Sequence, residues 1–239
     1  MAHLYNEKQD MNAFKNASCF VLLALGSLAL VACGDDGTTP DPPATPEVVT
    51  IAEARTKAAG TTAIVEGYLT IAPGVFNSAT GEKGFAIQDD TAGIYVTMAD
   101  AVDAAVGDKV RVEGKLAQSA QFTVLEATPA AVSKQSGTKD VAPKVVKTSE
   151  INEANEGLLV RTSGKVTKPV GDDTPYGYKV FIDDGSGEIQ VFVHIVDGAP
   201  IIDTATIMLD QTIEVMGLSA QYETTYEIMP GKAADLVVP

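Results

Sequence analysis

Two stretches of twelve residues, VFIDDGSGEIQV (180–191) and FAIQDDTAGIYV (85–96), share one pattern of apolar and turn-forming residues. They align at a constant offset of 95, and three apolar positions of the later stretch fall on apolar positions of the earlier one. These pairs are Ile182 on Ile87, Ile189 on Ile94 and Val191 on Val96. In each stretch, apolar residues flank a turn that begins with Asp-Asp, which predicts a β-hairpin. A repeated hairpin predicts that the chain contains two copies of one module.

Further strands with alternating apolar residues surround each hairpin. In the first module they are Ala63–Leu69, Gly107–Leu116 and Gln121–Leu125; in the second they are Gly157–Val166 and Ile213–Gly217, the latter matching Val110–Gly114. One strand, a hairpin and two more strands is the order of the OB-fold, a small five-stranded barrel. The predicted fold class is therefore all-β, with two tandem five-stranded OB-fold-like barrels.

Three short segments have the pattern of helices. Thr50–Ala58 precedes the first module, with Thr50 and Glu53 at the spacing of a capping box. Thr148–Asn155 takes the same place before the second module, and Met98–Ala105 is long enough for one helical turn or two.

Composition divides the chain into five parts. The predicted parts are a signal peptide (1–32), a flexible tether (33–47), a first OB-fold-like domain (48–132), a linker (133–147) and a second OB-fold-like domain (148–239). The tether is rich in proline and almost free of apolar side chains, so it cannot bury enough surface to offset the entropy of ordering it.

The N-terminal part has the organisation of a secretory signal. Lys15 precedes the apolar run VLLALGSLALV (21–31), which is too short for a permanent transmembrane helix. The tetrapeptide Leu30-Val31-Ala32-Cys33 resembles the lipobox of bacterial lipoproteins, whose cysteine is acylated. That resemblance implies a protein held to membrane lipid through fatty acyl chains on Cys33, at the outer membrane or the cell surface.

Other interpretations of the N-terminus stay open. The segment is also compatible with an ordinary signal peptide in which Cys33 is incidental, and with a cytosolic protein that has an apolar N-terminus. Met11 is an alternative start, because Met11-Asn-Ala-Phe-Lys15 is a more usual beginning for a signal than the residues after Met1.

Acidic residues dominate the charge. The chain has 32 Asp and Glu against 17 Lys and Arg, for a net charge of −15. Such a charge favours solubility and opposes a general attraction to polyanions, so on these grounds we do not expect nucleic acid as a partner. The two cysteines, Cys19 and Cys33, both precede the folded part, which therefore has no disulfide.

The sequence after Cys33 offers little catalytic or metal-binding chemistry. It has a single histidine, His194, and no Gly-x-Ser-x-Gly elbow for a nucleophile, and it lacks a His/Cys set for zinc. Three acidic pairs lack the spacing of a calcium loop and are typical of turns instead: Asp89-Asp90, Asp172-Asp173 and Asp183-Asp184. We therefore expect no enzymatic activity, no cofactor and no bound metal.

The outer face of the first three strands is the usual ligand platform of an OB barrel. Strand alternation places basic and aromatic side chains of the second module on that face, and these form the predicted ligand site: Arg161, Lys165, Lys179, Phe181, Phe192 and His194, with Gln190 among them. The same face of the first module would show Glu66, Tyr68, Gln88 and Tyr95. The alternative is that Phe181 and Phe192 pack against the other module or under the 194–209 loop, because large apolar side chains tend to be covered.

Four stretches resemble the tandem OB-fold modules of bacterial extracellular proteins, which accompany secreted nucleases and occur in surface lipoproteins. They are GFAIQDD (84–90), VGDKVRVEG (106–114), NEGLLVR (155–161) and QYETTYEIMP (221–230). In the nucleic-acid-associated relatives a basic residue often follows the proline that corresponds to Pro230, whereas here Gly231 follows it.

The resemblance implies a membrane-anchored, non-catalytic binding or scaffold module for an unknown protein or oligomeric ligand. The alternative is an accessory component of an extracellular hydrolase system that binds nucleic acid or carbohydrate, or a very reduced enzyme that acts on nucleotides. Because one fold hosts many functions, the choice depends on the site and not on the barrel.

Overall fold

A computed structural model of the protein describes residues 47–238. The predicted signal peptide, Cys33 and nearly all of the tether lie outside the described residues. The first half contains β1 (Val48–Val49), α1 (Ile51–Arg55), β2 (Thr62–Ile71), β3 (Phe85–Gln88), β4 (Gly93–Thr97), β5 (Asp108–Ser119), β6 (Phe122–Glu126) and β7 (Val132–Thr138). The second half contains β8 (Lys144–Val145), β9 (Leu159–Val166), β10 (Gly171–Asp173), β11 (Gly177–Asp183), β12 (Ile189–Val196), β13 (Ala199–Pro200), β14 (Thr212–Tyr222), β15 (Thr225–Met229) and β16 (Leu236–Val237).

Short 3₁₀ turns complete the secondary structure. They are Pro129–Ala131, Thr148–Glu150, Glu153–Asn155, Thr204–Thr206 and Ala233–Asp235. Within residues 47–238, no helix is long and apolar enough to cross a membrane.

Both halves close into five-stranded barrels by the same pairing. In the first barrel β2 pairs with β3, β3 with β4, β4 in parallel with β6, β6 with β5, and β5 returns to β2. In the second, β9, β11, β12, β15 and β14 repeat this circuit, with the parallel pair between β12 and β15. The prediction of two OB-fold-like barrels is confirmed.

The repeated hairpin occupies the same place in both barrels. Phe85 pairs with Val96 and Ile87 with Ile94 in the first; Val180 pairs with Val191 and Ile182 with Ile189 in the second. The side chains of these residues point inward and are buried in the two separate cores. Alternation along each strand therefore assigned the barrel interiors correctly.

The helices differ from the prediction. Of the three predicted segments, only the first contains an α-helix, Ile51–Arg55, and Thr50 caps it by accepting a hydrogen bond from the Glu53 amide at 3.2 Å. In place of a helix at Thr148–Asn155, two 3₁₀ turns form, because side chains in this segment bond elsewhere. Thr148 donates to Asp184 at 2.7 Å and Asn155 donates to the Glu150 carbonyl at 2.7 Å, which competes with helical hydrogen bonding.

The segment predicted as a linker, 133–147, contains strand residues. Strand β7 pairs with β5, and β8 pairs in parallel with β9, so this connection lies along both barrels. Residues 98–105, where one or two helical turns were expected, form bends, and the Ala105 amide donates to the Asp108 carboxylate at 2.9 Å. The domain boundaries themselves stay a prediction.

Two glycines allow a close approach at the closing strands. A Cβ on Gly114 would lie 2.6 Å from the Glu126 carbonyl oxygen, and one on Gly217 would lie 2.4 Å from the Met229 carbonyl oxygen. Both distances are too short for a real Cβ atom. β5 can therefore approach β6, and β14 can approach β15, this closely only with glycine at the bend. This explains why Val110–Gly114 and Ile213–Gly217 share a terminal glycine.

We predict that Gly217→Ala lowers the free energy of unfolding by about 1–3 kcal/mol, the usual cost of overpacking. Gly171→Ala is the matched control, because its Cβ would meet nothing closer than 3.4 Å. Chemical denaturation of both variants measures the difference. Equal stability of the two variants would contradict the close approach.

Candidate functional site

The outer faces of the two barrels pack against each other. Their contact forms a third buried cluster, to which the first barrel contributes Phe76, Tyr95 and Phe122 and the second contributes Phe192 and Met229. The described residues, 47–238, accordingly belong to one compact unit. The face that serves as a ligand platform in a single OB barrel is thus largely covered here by its neighbour.

A buried ion pair fixes this contact. Arg55 Nη2 lies 2.8 Å from Glu156 Oε1, the Glu156 side chain is 0% exposed, and the Thr123 amide donates to the same oxygen at 3.2 Å. Arg55 belongs to the first barrel's helix and Glu156 to the segment before β9, so the pair joins the two halves. Burial raises the pKa of the Glu156 carboxyl, and the Arg55 guanidinium opposes that rise.

Backbone contacts reinforce the ion pair. The Glu223 amide donates to the Ala120 carbonyl at 2.6 Å, and the Leu159 amide donates to the Gln88 side chain at 3.1 Å. A Cβ on Gly93 would lie 1.9 Å from the Gly157 carbonyl oxygen, so the two barrels touch here at backbone level. These contacts set the separation of the barrels and hence the shape of the space between them.

We predict that Arg55→Ala lowers the free energy of unfolding by about 3 kcal/mol near neutral pH, because it leaves Glu156 buried and unpaired. The loss should shrink as the pH falls. A carboxyl whose folded-state pKa is raised binds its proton more readily in the folded protein, so acidification through that range favours folding. Denaturation at several pH values tests this.

Lys165→Ala is the control, since its ion pair with Asp210 is exposed on both sides. A penalty for Arg55→Ala that matches this control, or that does not depend on pH, would contradict the structural role of the pair.

A cleft of about 610 Å³ lies between the barrels beside this contact. Aromatic side chains from both barrels line it: Phe76, Tyr95, Phe122, Tyr176, Phe192 and Tyr222. Phe192 is 9% exposed, whereas Tyr176 is 48% and Tyr222 60% exposed. The cleft therefore has an apolar floor and two aromatic rings accessible to solvent at its rim.

Three carboxyl groups line the cleft in different surroundings, and one of them, Asp173, pairs with Lys179 at 3.1 Å. Glu227 on β15 is 6% exposed and accepts a hydrogen bond from the Gln190 side chain at 2.5 Å. Burial raises the pKa of Glu227 to about 7. Glu82 accepts from the Tyr95 hydroxyl and from the Gly84 and Met98 amides, and burial raises its pKa as well.

His194 contacts side chains from both barrels. Its ring stacks on Phe76 with centroids 4.7 Å apart, and its Nδ1 lies 2.6 Å from the Ser78 hydroxyl oxygen. Its Nε2 lies 3.2 Å from the Met229 sulfur, a weak acceptor at most. Burial lowers the pKa of His194 to about 4, so the imidazole is neutral at physiological pH.

The structure divides the predicted ligand site into two groups. Lys179, Phe192 and His194 line the cleft. Arg161, Lys165 and Phe181 lie outside its lining: Arg161 pairs with Glu214 at 3.4 Å and Lys165 with Asp210 at 3.2 Å, while the Lys168 ammonium lies 4.3 Å from the Phe181 ring centroid. Of the two phenylalanines, Phe192 is the one that packs against the other barrel.

Sequence reasoning missed several cleft residues. Phe76, Tyr176 and Tyr222 come from loops and a strand end, where alternation carries no information. Glu227 could have been found, because it is an acidic residue between Tyr226 and Ile228 whose alternation directs it outward from a barrel.

Two of the acidic pairs, Asp89-Asp90 and Asp183-Asp184, begin turns, whereas Asp172 and Asp173 lie in strand β10 and Asp173 pairs with Lys179. Asp89 accepts from the Thr91 and Ala92 amides and also from Ile51 at the start of α1, at 2.7 to 2.9 Å. Asp183 accepts from the Gly185 and Gly187 amides. Among residues 47–238 no group of three or more His, Cys, Asp or Glu side chains is arranged to hold a metal ion.

Comparison with known proteins gives structural neighbours only. No protein-family model matches the chain, and no curated protein matches it. Among solved structures, an OBody, AM1L10, bound to hen egg-white lysozyme aligns with 42% of this chain and 98% of its own, at 19% identity and a TM-score of 0.33.

Two further neighbours align over more of the chain. A murine DNA-binding protein bound with double-stranded DNA covers 70% of this chain and 90% of its own, at 13% identity and a TM-score of 0.38. The HINa domain of Ifi202 in complex with a 20-base-pair double-stranded DNA covers 72% and 93%, at 15% identity and a TM-score of 0.38.

The prediction that nucleic acid is not a partner is wrong. It rests on a net charge of −15, whereas the solved structures that align with this chain include two in complex with double-stranded DNA. A charge summed over the whole chain does not set the potential at one face of one barrel, which is what a ligand meets. Net charge therefore gives no ground for excluding this class of partner.

Proposed function

We propose that this protein is a non-catalytic binding module, anchored to the cell envelope, whose ligand is an oligosaccharide held in the cleft between the barrels. The observation that carries the proposal is the combination of exposed Tyr176 and Tyr222 at the rim with the Gln190–Glu227 pair at the floor. Sugar rings present apolar C–H faces to aromatic rings and hydroxyl groups to planar amides and carboxyls.

The size and position of the cleft support this proposal. About 610 Å³ lies within the range of roughly 300–1,000 Å³ that is usual for ligand sites, and such sites often lie between domains. OB-fold surfaces bind oligosaccharides as well as oligonucleotides. A role as the carbohydrate-binding accessory of an extracellular hydrolase would use the same cleft.

The surroundings of His194 favour binding over catalysis. Ser78 and His194 are within hydrogen-bond distance, as in a nucleophile–base pair. However, the second ring nitrogen faces the Met229 sulfur where a triad would place an orienting carboxylate, and a pKa of about 4 makes the imidazole a weak base. Ser78 also donates to the Tyr176 carbonyl at 2.8 Å, a contact that connects the barrels.

We predict that Tyr222→Ala and Tyr176→Ala each weaken oligosaccharide binding by about tenfold. A ring contact that removes about 50–60 Å² of apolar surface from water is worth about 1.5 kcal/mol, which corresponds to that factor. Phe181→Ala is the matched control, because Phe181 is an aromatic residue of the second barrel that lies outside the cleft lining.

The measurement is a screen of the full chain, purified in detergent, on an array of neutral, acidic and amino-containing glycans with oligonucleotides on the same array. Isothermal titration of the hits then compares the three variants. Binding of oligonucleotides alone, or a loss in Phe181→Ala equal to that in Tyr222→Ala, would overturn the proposal.

The proposed anchor is a lipid on Cys33, supported by the resemblance of Leu30–Cys33 to a lipobox. We predict that metabolic labelling with a fatty acid marks the wild-type chain, that Cys33→Ser abolishes the label, and that the variant moves from the membrane to the soluble fraction. Cys19→Ser is the control, since it removes the other cysteine, which lies in the signal segment. Equal labelling of Cys33→Ser and wild type would end the anchoring proposal.

A further inference from the structure

Glu227 is the least compensated carboxyl group at the cleft. It is 6% exposed, and within residues 47–238 it accepts one side-chain hydrogen bond, from Gln190 to Oε2. Glu227 on β15 pairs with Ala220 on the neighbouring strand β14, and alanine has no polar side chain that could bond to the carboxylate. A buried carboxylate with one amide partner is costly, and a ligand that supplies a positive charge would remove that cost.

Glu82 provides an internal comparison. It lines the same cleft, but both of its oxygens are engaged: Oε1 accepts from the Gly84 and Met98 amides and Oε2 from the Tyr95 hydroxyl. Three donors satisfy Glu82 within its own barrel, whereas Glu227 has one. The two carboxyls are therefore not equivalent as ligand contacts.

The charged groups around Glu227 do not neutralise it. Lys179 on β11 lies 3.1 Å from Asp173 on β10 and is paired there. Lys179 lowers the pKa of Glu227 and Asp173 raises it, while burial remains the largest influence and raises it. His194, which follows Gln190 on β12, is neutral near pH 7 because burial lowers its pKa to about 4.

Aromatic rings complete the surroundings of a cation. Phe76, Phe122 and Phe192 line the floor, and Tyr176 and Tyr222 line the rim. Ring faces attract ammonium groups, and more strongly where water is excluded. A buried carboxyl beside aromatic faces is the arrangement that recognises an amine.

We propose that the cleft selects oligosaccharides that carry a free amino group, with the ammonium held against Glu227 and the aromatic rings. The inference rests on the proposed function and assigns its ligand class. It makes Glu227 a specificity-determining residue, while the rim tyrosines bind any sugar chain that fits.

Proton release follows from the same contact. At pH 5.5 Glu227, with a pKa of about 7, is protonated in the free protein, and the amines of a glucosamine chain carry their protons as well. An ammonium group favours the carboxylate, so binding lowers the pKa of Glu227 and releases its proton to the buffer. The affinity for an amino sugar should therefore rise as the pH is raised from 5 to 6, where the amines stay protonated, and that for a neutral sugar should not.

The test compares two probes with the same backbone, the tetramer of glucosamine and the tetramer of N-acetylglucosamine, on the full chain in detergent. We expect the glucosamine tetramer to bind at least tenfold more tightly at pH 7, and Glu227→Gln to remove that preference. Glutamine keeps the size and the hydrogen bond to Gln190 while it removes the charge. Glu214→Gln is the control: it removes one negative charge outside the cleft lining and should leave the preference unchanged.

A second measurement needs no variant. Titration calorimetry of the wild type at pH 5.5, where the glucosamine amines are protonated, in buffers of different ionisation enthalpy, should show proton release with the glucosamine tetramer and none with the acetylated one. This keeps the proposal testable if Glu227→Gln does not fold.

The outcomes separate the two proposals. Equal binding of both tetramers, or a preference that survives in Glu227→Gln, overturns the amine proposal and leaves the oligosaccharide function standing. Binding of neither tetramer and of no other glycan overturns both. An amine preference that Glu214→Gln lowers as much as Glu227→Gln would assign the effect to overall charge and would also overturn the role of Glu227.

Discussion

The packing of one barrel's outer face against the other is the constraint on which the site depends. A single small barrel of this kind leaves one apolar and aromatic face in water, and such a face is costly unless something covers it. Here Phe76 and Phe122 of the first barrel meet Phe192 and Met229 of the second. The covering is incomplete, and the space left between the two faces is the cleft. Its shape is therefore a property of the pair of barrels, and neither barrel contains it alone.

Two glutamates, Glu156 and Glu227, are both buried, and the free-energy cost of burying a carboxylate is compensated differently in each. Glu156 has a guanidinium at 2.8 Å, so its charge is compensated within the chain and the contact holds the barrels together. Among the described residues Glu227 accepts a side-chain hydrogen bond only from the amide of Gln190, and burial raises its pKa to about 7. The first carboxylate is stabilised by the fold, and the second would be stabilised by a ligand. The difference lies in the partner and not in the depth of burial, because both are nearly excluded from solvent.

The interiors of the barrels were predictable from the sequence, and the surface between them was not. Alternation of apolar residues separates inside from outside within one strand, which is why Ile87, Ile182 and their partners were correctly assigned to cores. It says nothing about which outward side chains a second domain will cover. Phe181 and Phe192 look alike in sequence, yet only Phe192 meets the first barrel, while Phe181 lies against Lys168. Such a distinction depends on contacts between residues more than 100 positions apart, such as Ser78 with His194 at a separation of 116.

The effect of a charged group on ligand binding, like the effect of burial, depends on where the group lies in the structure. The chain carries −15 overall, yet Asp173 pairs with Lys179 at the cleft and so removes one charge of each sign from that surface. Glu82 is satisfied by neutral donors, and His194 is neutral because it is buried. Of the three carboxyl groups that line the cleft, Glu227 is therefore the one without a cationic partner or several hydrogen-bond donors, and it lies among aromatic rings. Its low-dielectric surroundings make that single group count for more than the many exposed carboxylates, which water and salt screen.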